Sequence, residues 1–533
     1  MTLLRKFMAE LGILWPDRPA TGVSPLGVLI NLAYNYHTAL WFSIRLVSTS
    51  SVRVVVIGPG QYVVPASRRH ERLTAVGGYE EYWQAYYESF SSASHKNPKP
   101  RGAGDFGAKP SARMQSFVLA VLSNATASQA KQNAFRSRFK IEQFDKLTEK
   151  VPASEWLSEL NRHLKPPESL APTDEVFANG IDISSAIRAI FRRYTRYDVL
   201  EQIGWLFADI YGPLVDDKLL SRKFGESNAA AARIALCATE VEKAFQPLVA
   251  ALYVVSRFSA ETKKAVTEKL HAVVDTAGSM INGALWMDNY SRELLRMKIH
   301  DASRDLWPPL IMFSQTGLSA MYAQFPSKWN SFLGTWIAVQ KLSADLKHQN
   351  FGYNNLPSLL DGYQLPLFDY DYISNSVFTS VAALTSPFYY ANGTKSMFYA
   401  GLGFFFAKEL VRAIDDTGVT IDLTGREADS LVRRATFPHA SVFPEVPALQ
   451  IAYAAYKTAL ADGEKNLRVA YQYTEDQMFF LTLCYLMCSL PDKVEPPMRD
   501  CNKAVSSFPA FGDAFGCAHD APMSASSRRC LYF

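Results

Sequence analysis

The chain has 533 residues, of which 48% are hydrophobic and 13% aromatic, so it can bury a large core and is too long for a single compact domain. Its 55 lysines and arginines nearly balance its 51 aspartates and glutamates. Because no segment concentrates the excess positive charge, nucleic acid is excluded as an expected partner. No stretch reaches the roughly 18 apolar residues of a membrane span, so the chain as given is expected to be soluble.

The first predicted element is a β-hairpin. Val52–Ile57 alternates β-branched residues, Gly58-Pro59-Gly60 supplies a turn, and Gln61–Pro65 predicts the returning strand. From Val176 to His300 apolar residues recur three and four positions apart, which predicts helix almost throughout. Residues 357–372 are rich in turn formers and aromatics and predict an irregular connection between two helical halves.

Most catalytic motifs are absent from the sequence. It contains no Cys-x-x-Cys pair, no glycine-rich phosphate loop and no Gly-x-Ser-x-Gly motif. His70-Glu71 resembles the start of a zinc-binding His-Glu-x-x-His helix, but Thr74 stands where the second histidine is needed. None of the nine histidines has another histidine four residues away, so no helix face offers paired imidazoles.

Cysteines and glycosylation sequons favour an oxidising compartment. Five of the six cysteines lie at or after Cys484, which predicts disulfides near the C-terminus; buried free thiols in a cytosolic protein are the alternative. The glycosylation candidates are Asn124, Asn289 and Asn392, and the disulfide candidates are Cys237, Cys484, Cys488, Cys501, Cys517 and Cys530.

Several segments, in matching order, resemble the neprilysin and endothelin-converting enzyme family of zinc metallopeptidases. Trp286-Met287-Asp288 resembles a Trp-Met-Asp motif of that family's N-terminal domain. Four further matches lie in the C-terminal third: Leu384–Tyr389, Ala407–Asp416, Leu449–Tyr456, and Phe508–Cys517 followed by Cys530–Phe533.

The resemblance implies a mainly α, two-domain fold with small β elements. A helical N-terminal domain is expected to cap a zincin-like, that is thermolysin-like, α+β C-terminal domain, and the two are expected to enclose a central cavity. The implied limits are residues 1–340 for the N-terminal domain, 341–365 for a linker and 366–533 for the peptidase-like domain.

The resemblance also implies that the zinc site is degenerate. Such enzymes hold zinc with two histidines on one helix face and a later glutamate. Here Lys408 and Arg412 fall at the histidine positions, Ser441 at the third ligand and Glu445 at a supporting carboxylate. Protonated lysine and arginine offer no lone pair to a metal, so we expect no metal and no cofactor.

Two positions that match catalytic residues of the family keep the family's residue type, whereas the positions that match its substrate-binding residues do not. Glu409 matches the family's general base and Asp416 a carboxylate behind the zinc ligands, so we treat both as vestigial. The degenerate substrate positions are Leu367, Phe368 and Asp369, where the family has an Asn-Ala-Tyr strand, and Asp500, where it has an arginine, although Arg499 is adjacent.

Two positive charges therefore stand where the family holds a dication. We hypothesise that Glu409, Asp416 and Glu445 pair with Lys408 and Arg412 in a metal-free ion network, because buried charges need partners. The alternative is that this helix is exposed and carries ordinary surface charges.

The cysteines fit the resemblance only in part. Cys237, Cys488, Cys517 and Cys530 match family cysteines, but the usual partners of the first three would lie N-terminal to this chain. Either the chain is an N-terminally incomplete ectodomain of a type II membrane protein, or its disulfides are rewired around Cys484 and Cys501.

We therefore expect a catalytically inactive, extracellular relative of these peptidases that binds a peptide or protein in the central cavity. One alternative is an active metalloendopeptidase, which would use unrecognised ligands such as His439 or hydrolyse peptides through Glu409 alone. A second alternative is a structural interaction protein with a closed cavity.

Overall fold

The structure is a computed structural model that describes residues 1–48, 52–92, 107–131, 138–164, 169–284, 287–328, 331–348, 367–428, 443–460, 468–470, 472–487, 501–506, 508–518, 521, 523 and 532–533. These residues form two compact units. Unit 1 takes Met1–Leu248 and residues 310–348, and unit 2 takes Val249–Pro309 and residues 367–533. The expectation of a mainly α, two-domain protein is confirmed.

The two units divide the chain differently from the domain limits set by resemblance. Residues 249–309, placed in the N-terminal domain, group with unit 2, because their helices pack on those of the C-terminal third. Within the expected linker, residues 341–348 end a helix, and residues 349–365 lie outside the described part.

Unit 1 is built from helices around one four-stranded sheet. Helix α12 (Gln246–Arg257) crosses the boundary to unit 2. The helices of unit 1 are α1 (Thr2–Glu10), α2 (Pro25–Asn35), α3 (Val63–Ala75), α4 (Tyr79–Ser92), α5 (Ala108–Lys131), α6 (Phe144–Leu147), α7 (Ala153–Leu164), α8 (Ile183–Arg193), α9 (Arg196–Tyr211), α10 (Asp217–Phe224), α11 (Ala229–Ala244), α15 (Gln315–Met321) and α16 (Phe332–His348). Its strands are β1 (Phe42–Ser48), β2 (Arg53–Pro59), β3 (Arg138–Lys140) and β4 (Glu175–Ala178), in the order β1-β2-β4-β3.

The predicted hairpin is wrong in its second half. Strand β2 pairs antiparallel with the preceding β1 and parallel with β4, while residues 63–65 begin helix α3. Pro65 lies in the first turn of that helix, where a missing N–H costs no hydrogen bond. A side chain at Gly60 would lie 2.6 Å from the Trp41 backbone, so this glycine serves close packing rather than a hairpin turn.

The core of unit 1 is dominated by large aromatic side chains. Trp15, Trp83 and Trp205 are buried and contact one another, with ring centroids 5.5 to 6.4 Å apart. Helix α9, which carries Trp205, is buried along most of its length, because it passes through the centre of the helical layer. Burial of each such ring contributes on the order of 2–3 kcal/mol.

Unit 2 is a second helical body with small sheets. Strand β6 lies at the edge of a sheet ordered β5-β7-β6. The helices of unit 2 are α13 (Ala260–Gly283), α14 (Asn289–His300), α17 (Lys395–Phe398), α18 (Phe404–Leu410), α19 (Glu445–Ala459), α20 (Glu475–Met487), α21 (Cys501–Val505) and α22 (Pro509–Phe515). Its strands are β5 (Ser303–Asp305), β6 (Phe368–Asp371), β7 (Ser376–Thr379), β8 (Arg468–Ala470) and β9 (Tyr473–Thr474).

Helix α18 is the middle of one long helical segment. A π-helical turn, Tyr399–Gly403, joins it to α17, and a 3₁₀ turn, Val411–Ile414, follows it. The backbone of Gly401 lies against Phe388, where an added side chain would meet the Phe388 carbonyl oxygen at 2.4 Å. π-helical turns of this kind are frequent at functional sites.

The C-terminal cysteines form one disulfide in the described part of the chain. Cys484 of α20 is bonded to Cys501 of α21, so the prediction of a disulfide in this region is confirmed. Cys237 and Cys517 are free thiols, and Cys488 and Cys530 lie outside the described residues. No helix in the ranges given above is long and apolar enough to cross a membrane.

Candidate functional site

The candidate site lies in unit 2, where α18 faces the first turn of α19. Lys408 on α18 and Glu445 at the start of α19 form an ion pair, with 3.1 Å between Nζ and Oε1. Both side chains are largely shielded, at 20% and 17% exposed. The alternative of an exposed helix with surface charges does not describe this pair.

Arg412 continues the network one turn further along. Its Nε donates to Glu409 Oε2 at 2.5 Å, and its side chain also bonds Tyr372. The Tyr372 hydroxyl in turn donates to Asp415 Oδ2 at 2.5 Å. Glu409, Arg412, Tyr372 and Asp415 therefore form one connected chain of polar contacts.

Asp416, which the network hypothesis included, is not part of this chain of contacts. Its side chain is exposed, and no ion pair joins it to Lys408 or Arg412 within the described ranges. The adjacent Asp415 lies inside instead, because the helix ends in a tighter 3₁₀ turn that changes which side chain points inward. Burial raises the pKa of Asp415, although hydrogen bonds oppose the shift.

A buried lysine fixes the turn that follows the 3₁₀ segment. Lys298 of α14 is fully buried and donates to the carbonyl oxygens of Gly418 and Ile421, the latter at 2.6 Å. Burial lowers the pKa of Lys298 to about 8, against the opposing effect of Asp415 and Asp422. Helix α14 therefore holds the backbone behind the candidate site.

Strand β6 packs against helix α18, which carries Lys408 and Glu409. Leu367 precedes the strand and is half-buried, Phe368 is buried, and Asp369 is exposed. Packing among protein atoms and the charge of Glu409 raise the pKa of Asp369 to about 6, with Arg412 acting in the opposite direction. Strand β6 thus brings a fourth carboxyl group to the site, beside those of Glu409, Asp415 and Glu445.

An aromatic surface adjoins the strand. The ring centroids of Phe388 and Phe405 are 5.1 Å apart, and each lies 5.6 Å from that of Phe368. Phe388 and Phe405 are half-exposed. The site therefore offers apolar rings and a strand edge next to its charged groups.

The residues at the predicted zinc positions do not fit a zinc ion. The Lys408 ammonium and the Arg412 guanidinium are each engaged with a carboxylate and present no lone pair. Among the described residues no group of three or more histidine, cysteine, aspartate or glutamate side chains is placed to hold a metal. His70 is buried, and its Nε2 lies 2.5 Å from Ser116 Oγ.

Three of the proposed positions, Ser441, Asp500 and the alternative ligand His439, lie outside the described residues. The assignment of Lys408, Arg412 and Ser441 to former zinc positions therefore stays a prediction. The three sequon asparagines, Asn124, Asn289 and Asn392, are all exposed, and their glycosylation also stays a prediction.

The fold is similar to that of two solved proteins, one of which is a zinc metalloprotease. The zinc metalloprotease ZMP1 of Mycobacterium tuberculosis, in complex with an inhibitor, matches with a TM-score of 0.62 and 14% identity over 99% of this chain and 85% of its own. PepO from Lactobacillus rhamnosis matches with a TM-score of 0.63 and 12% identity over 99% and 86%. At this identity the likeness defines the class of fold.

Two sequence models of peptidase family M13 match the chain, one over residues 3–305 and the other over residues 443–531. Since the first alone spans more than half of the sequence, the chain belongs to peptidase family M13, the neprilysin family, and the resemblance is confirmed.

Curated relatives are similar over part of their length. Human endothelin-converting enzyme-like 1 is 23% identical over 340 residues, which cover 55% of this chain and 43% of the relative. The human Kell blood group glycoprotein is 22% identical over 446 residues, which cover 74% and 59%. The chain spans about half the length of the curated relatives it matches.

Four residues of the site were missed at the level of sequence: Lys298, Tyr372, Phe405 and Asp415. Asp415 carried a signal, because it is the other member of the Asp-Asp pair that ends the matched motif. Lys298 carried none, since its role depends on a carbonyl group 120 residues further along the chain.

Proposed function

We propose that this M13 family member is non-catalytic and binds extended peptides along strand β6 without cleaving them. The observation that carries the proposal is the pairing of Lys408 with Glu445 and of Arg412 with Glu409. Each of the two cations is paired with a carboxylate, so neither is left as an uncompensated charge in the absence of a metal.

The loss of zinc would remove the chemistry of hydrolysis. In this class of enzyme the metal supplies a nucleophilic water and polarises the peptide carbonyl when it is bound. In this chain an oxygen of Glu409 instead accepts a hydrogen bond from Arg412. The charged residues of the site pair with one another. None of them supplies the Lewis acid that the metal would supply.

The peptide-binding part of the proposal rests on the strand edge and the aromatic surface. An extended peptide adds to a free edge through main-chain hydrogen bonds, and its alternate side chains enter neighbouring pockets. Strand β6 supplies the edge, and Phe388 and Phe405 supply half-exposed rings beside it.

We further propose an extracellular location, in the ectodomain of a membrane protein or as a secreted form. The Cys484–Cys501 disulfide supports it, because such bonds persist in oxidising compartments. The exposed sequon asparagines are compatible with glycosylation there.

The test is incubation of the purified chain with a mixed peptide library, followed by mass spectrometry, with an intact neprilysin-type enzyme as positive control. We expect retention of a subset of peptides on the immobilised chain and no cleaved products. Chelator-sensitive cleavage would show an active metalloendopeptidase, and neither retention nor cleavage would show a structural protein with a closed cavity.

A pair of variants ties retention to strand β6. Phe405→Asp places a charge in the aromatic surface and is expected to weaken peptide retention about tenfold or more. Tyr485→Asp makes the same kind of change at an aromatic residue of α20 that is 68% exposed, and it should leave retention unchanged. Equal loss in both variants would place the peptide elsewhere.

A further inference from the structure

Strand β6 has one edge that pairs with no other strand in the described part of the chain. The register of β6 determines which of its backbone groups face that edge. The Ser380 N–H donates to the Leu367 carbonyl at 2.8 Å, and β6 continues antiparallel to β7 in that register. Because hydrogen-bonded pairs alternate along an antiparallel ladder, Asp369 and Asp371 bond to β7. Phe368 and Tyr370 therefore direct their N–H and C=O groups away from it.

One of these edge donors is already occupied by a side chain. The Tyr370 N–H donates to Asp369 Oδ1 at 3.0 Å. An incoming peptide strand needs the same N–H for its own carbonyl oxygen. In the free protein, the Asp369 carboxylate thus covers part of the edge that the proposed function uses.

The surroundings of Asp369 are short of positive charge. From the helical segment that contains α18, Glu409 and Arg412 face it, and Arg412 is already paired with Glu409. Its own strand adds Asp371, and β7 contributes no titratable side chain. No ion pair reaches Asp369 from the described part of the chain. The pKa of Asp369 is raised to about 6, since desolvation by the surrounding protein atoms and the nearby charge of Glu409 both disfavour the ionised form.

We propose that Asp369 makes the β6 edge selective for extended peptides that carry a basic side chain. The peptide cation pairs with the Asp369 carboxylate and draws it from the Tyr370 N–H, which then donates to the peptide backbone. Binding of the peptide cation and release of the Tyr370 N–H therefore occur together. The inference rests on the proposed function, because it specifies the ligand class of the same site.

The test uses acetylated and amidated peptides of about eight residues that differ at one central position, which is lysine, norleucine or glutamate. Binding to the full chain is measured by fluorescence polarisation. We expect the lysine peptide to bind about fivefold more tightly than the norleucine peptide, as for a partly exposed ion pair, and the glutamate peptide to bind most weakly.

Variants assign the preference to one residue. Asp369→Asn keeps the shape and the hydrogen-bond acceptor, so it should retain norleucine-peptide binding and lose the fivefold difference. Glu268→Gln removes an exposed carboxylate on α13 of the same unit and should leave the difference intact.

A pH series tests the same charge without a mutation. As pH falls from about 7.5 to about 5, Asp369 takes up a proton because its pKa is about 6. The advantage of the lysine peptide should then disappear, while binding of the norleucine peptide changes little. Equal affinities of the lysine and norleucine peptides above pH 7 would overturn the inference and leave peptide binding standing; if no peptide binds, the inference and the proposed function fall together.

Discussion

Lys408→Met is expected to lower the free energy of unfolding by about 2–3 kcal/mol, because it leaves the Glu445 carboxylate without a partner in a largely shielded position. We expect a smaller loss of unfolding free energy than for a fully buried ion pair, since both side chains keep some exposure. Urea unfolding of the purified chain at neutral pH measures it. An unchanged unfolding curve would mean that Lys408 is an ordinary surface charge.

Two further variants distinguish the loss of the Lys408–Glu445 ion pair from other effects of replacing lysine with methionine. Adding Glu445→Gln to Lys408→Met should recover most of the loss, because it removes the unpaired carboxylate. Lys264→Met makes the same change in an exposed pair with Glu268 on α13 and should cost less than about 0.5 kcal/mol.

Asp209→Asn is expected to have the larger effect, a loss of about 3–5 kcal/mol. Asp209 of α9 is buried and pairs with Arg69 of α3. It also accepts from the Tyr82 hydroxyl at 2.6 Å and lies 3.9 Å from Lys223 Nζ. Removal of its charge leaves two largely shielded cations, Arg69 and Lys223, without their shared carboxylate.

The pKa shifts of Asp209 and Lys223 both result from burial and from the charges of their neighbours. Burial alone would raise the pKa of Asp209, but Arg69 and Lys223 lower it overall. Burial and the neighbouring Arg69 lower the pKa of Lys223 to about 7. In Asp209→Asn the attraction that opposes this lowering is lost, and Lys223 gives up its proton more readily.

The check is thermal and denaturant unfolding of Asp209→Asn beside Asp217→Asn. Asp217 pairs with Arg233 at a site where both side chains are more than half exposed, so its variant should stay within about 0.5 kcal/mol of the parent. A loss below about 1 kcal/mol for Asp209→Asn would contradict the account of unit 1 as a core held by a compensated buried charge.

Helical periodicity and ordered motifs were sufficient to predict the class of fold. The apolar spacing between residues 176 and 300 corresponds to helices α8 to α14. The hairpin failed because β2 finds its partners in β1 and in the distant β4. Strand propensity in residues 61–65 gave way to the packing of α3 on α5.

The candidate site shows a similar division between local and tertiary information. The spacing of Lys408 and Arg412 on one helix was readable from sequence, since residues four apart share a face. The replacement of Asp416 by Asp415 was not, because it depends on a 3₁₀ turn at the end of that helix. The roles of Tyr372 and Lys298 were hidden for the same kind of reason, as both act across tertiary contacts.

We propose that Lys408 and Arg412 lie at former zinc-ligand positions and that their ion pairs take the place of the metal. Elemental analysis of the purified full chain, after dialysis against excess zinc and then against zinc-free buffer, tests it most directly. We expect less than about one-tenth of a zinc ion per chain, since protonated lysine and arginine cannot ligate it. One zinc per chain that a chelator removes would show that the protein holds a functional metal site elsewhere and that the ion pairs have not taken the place of the metal.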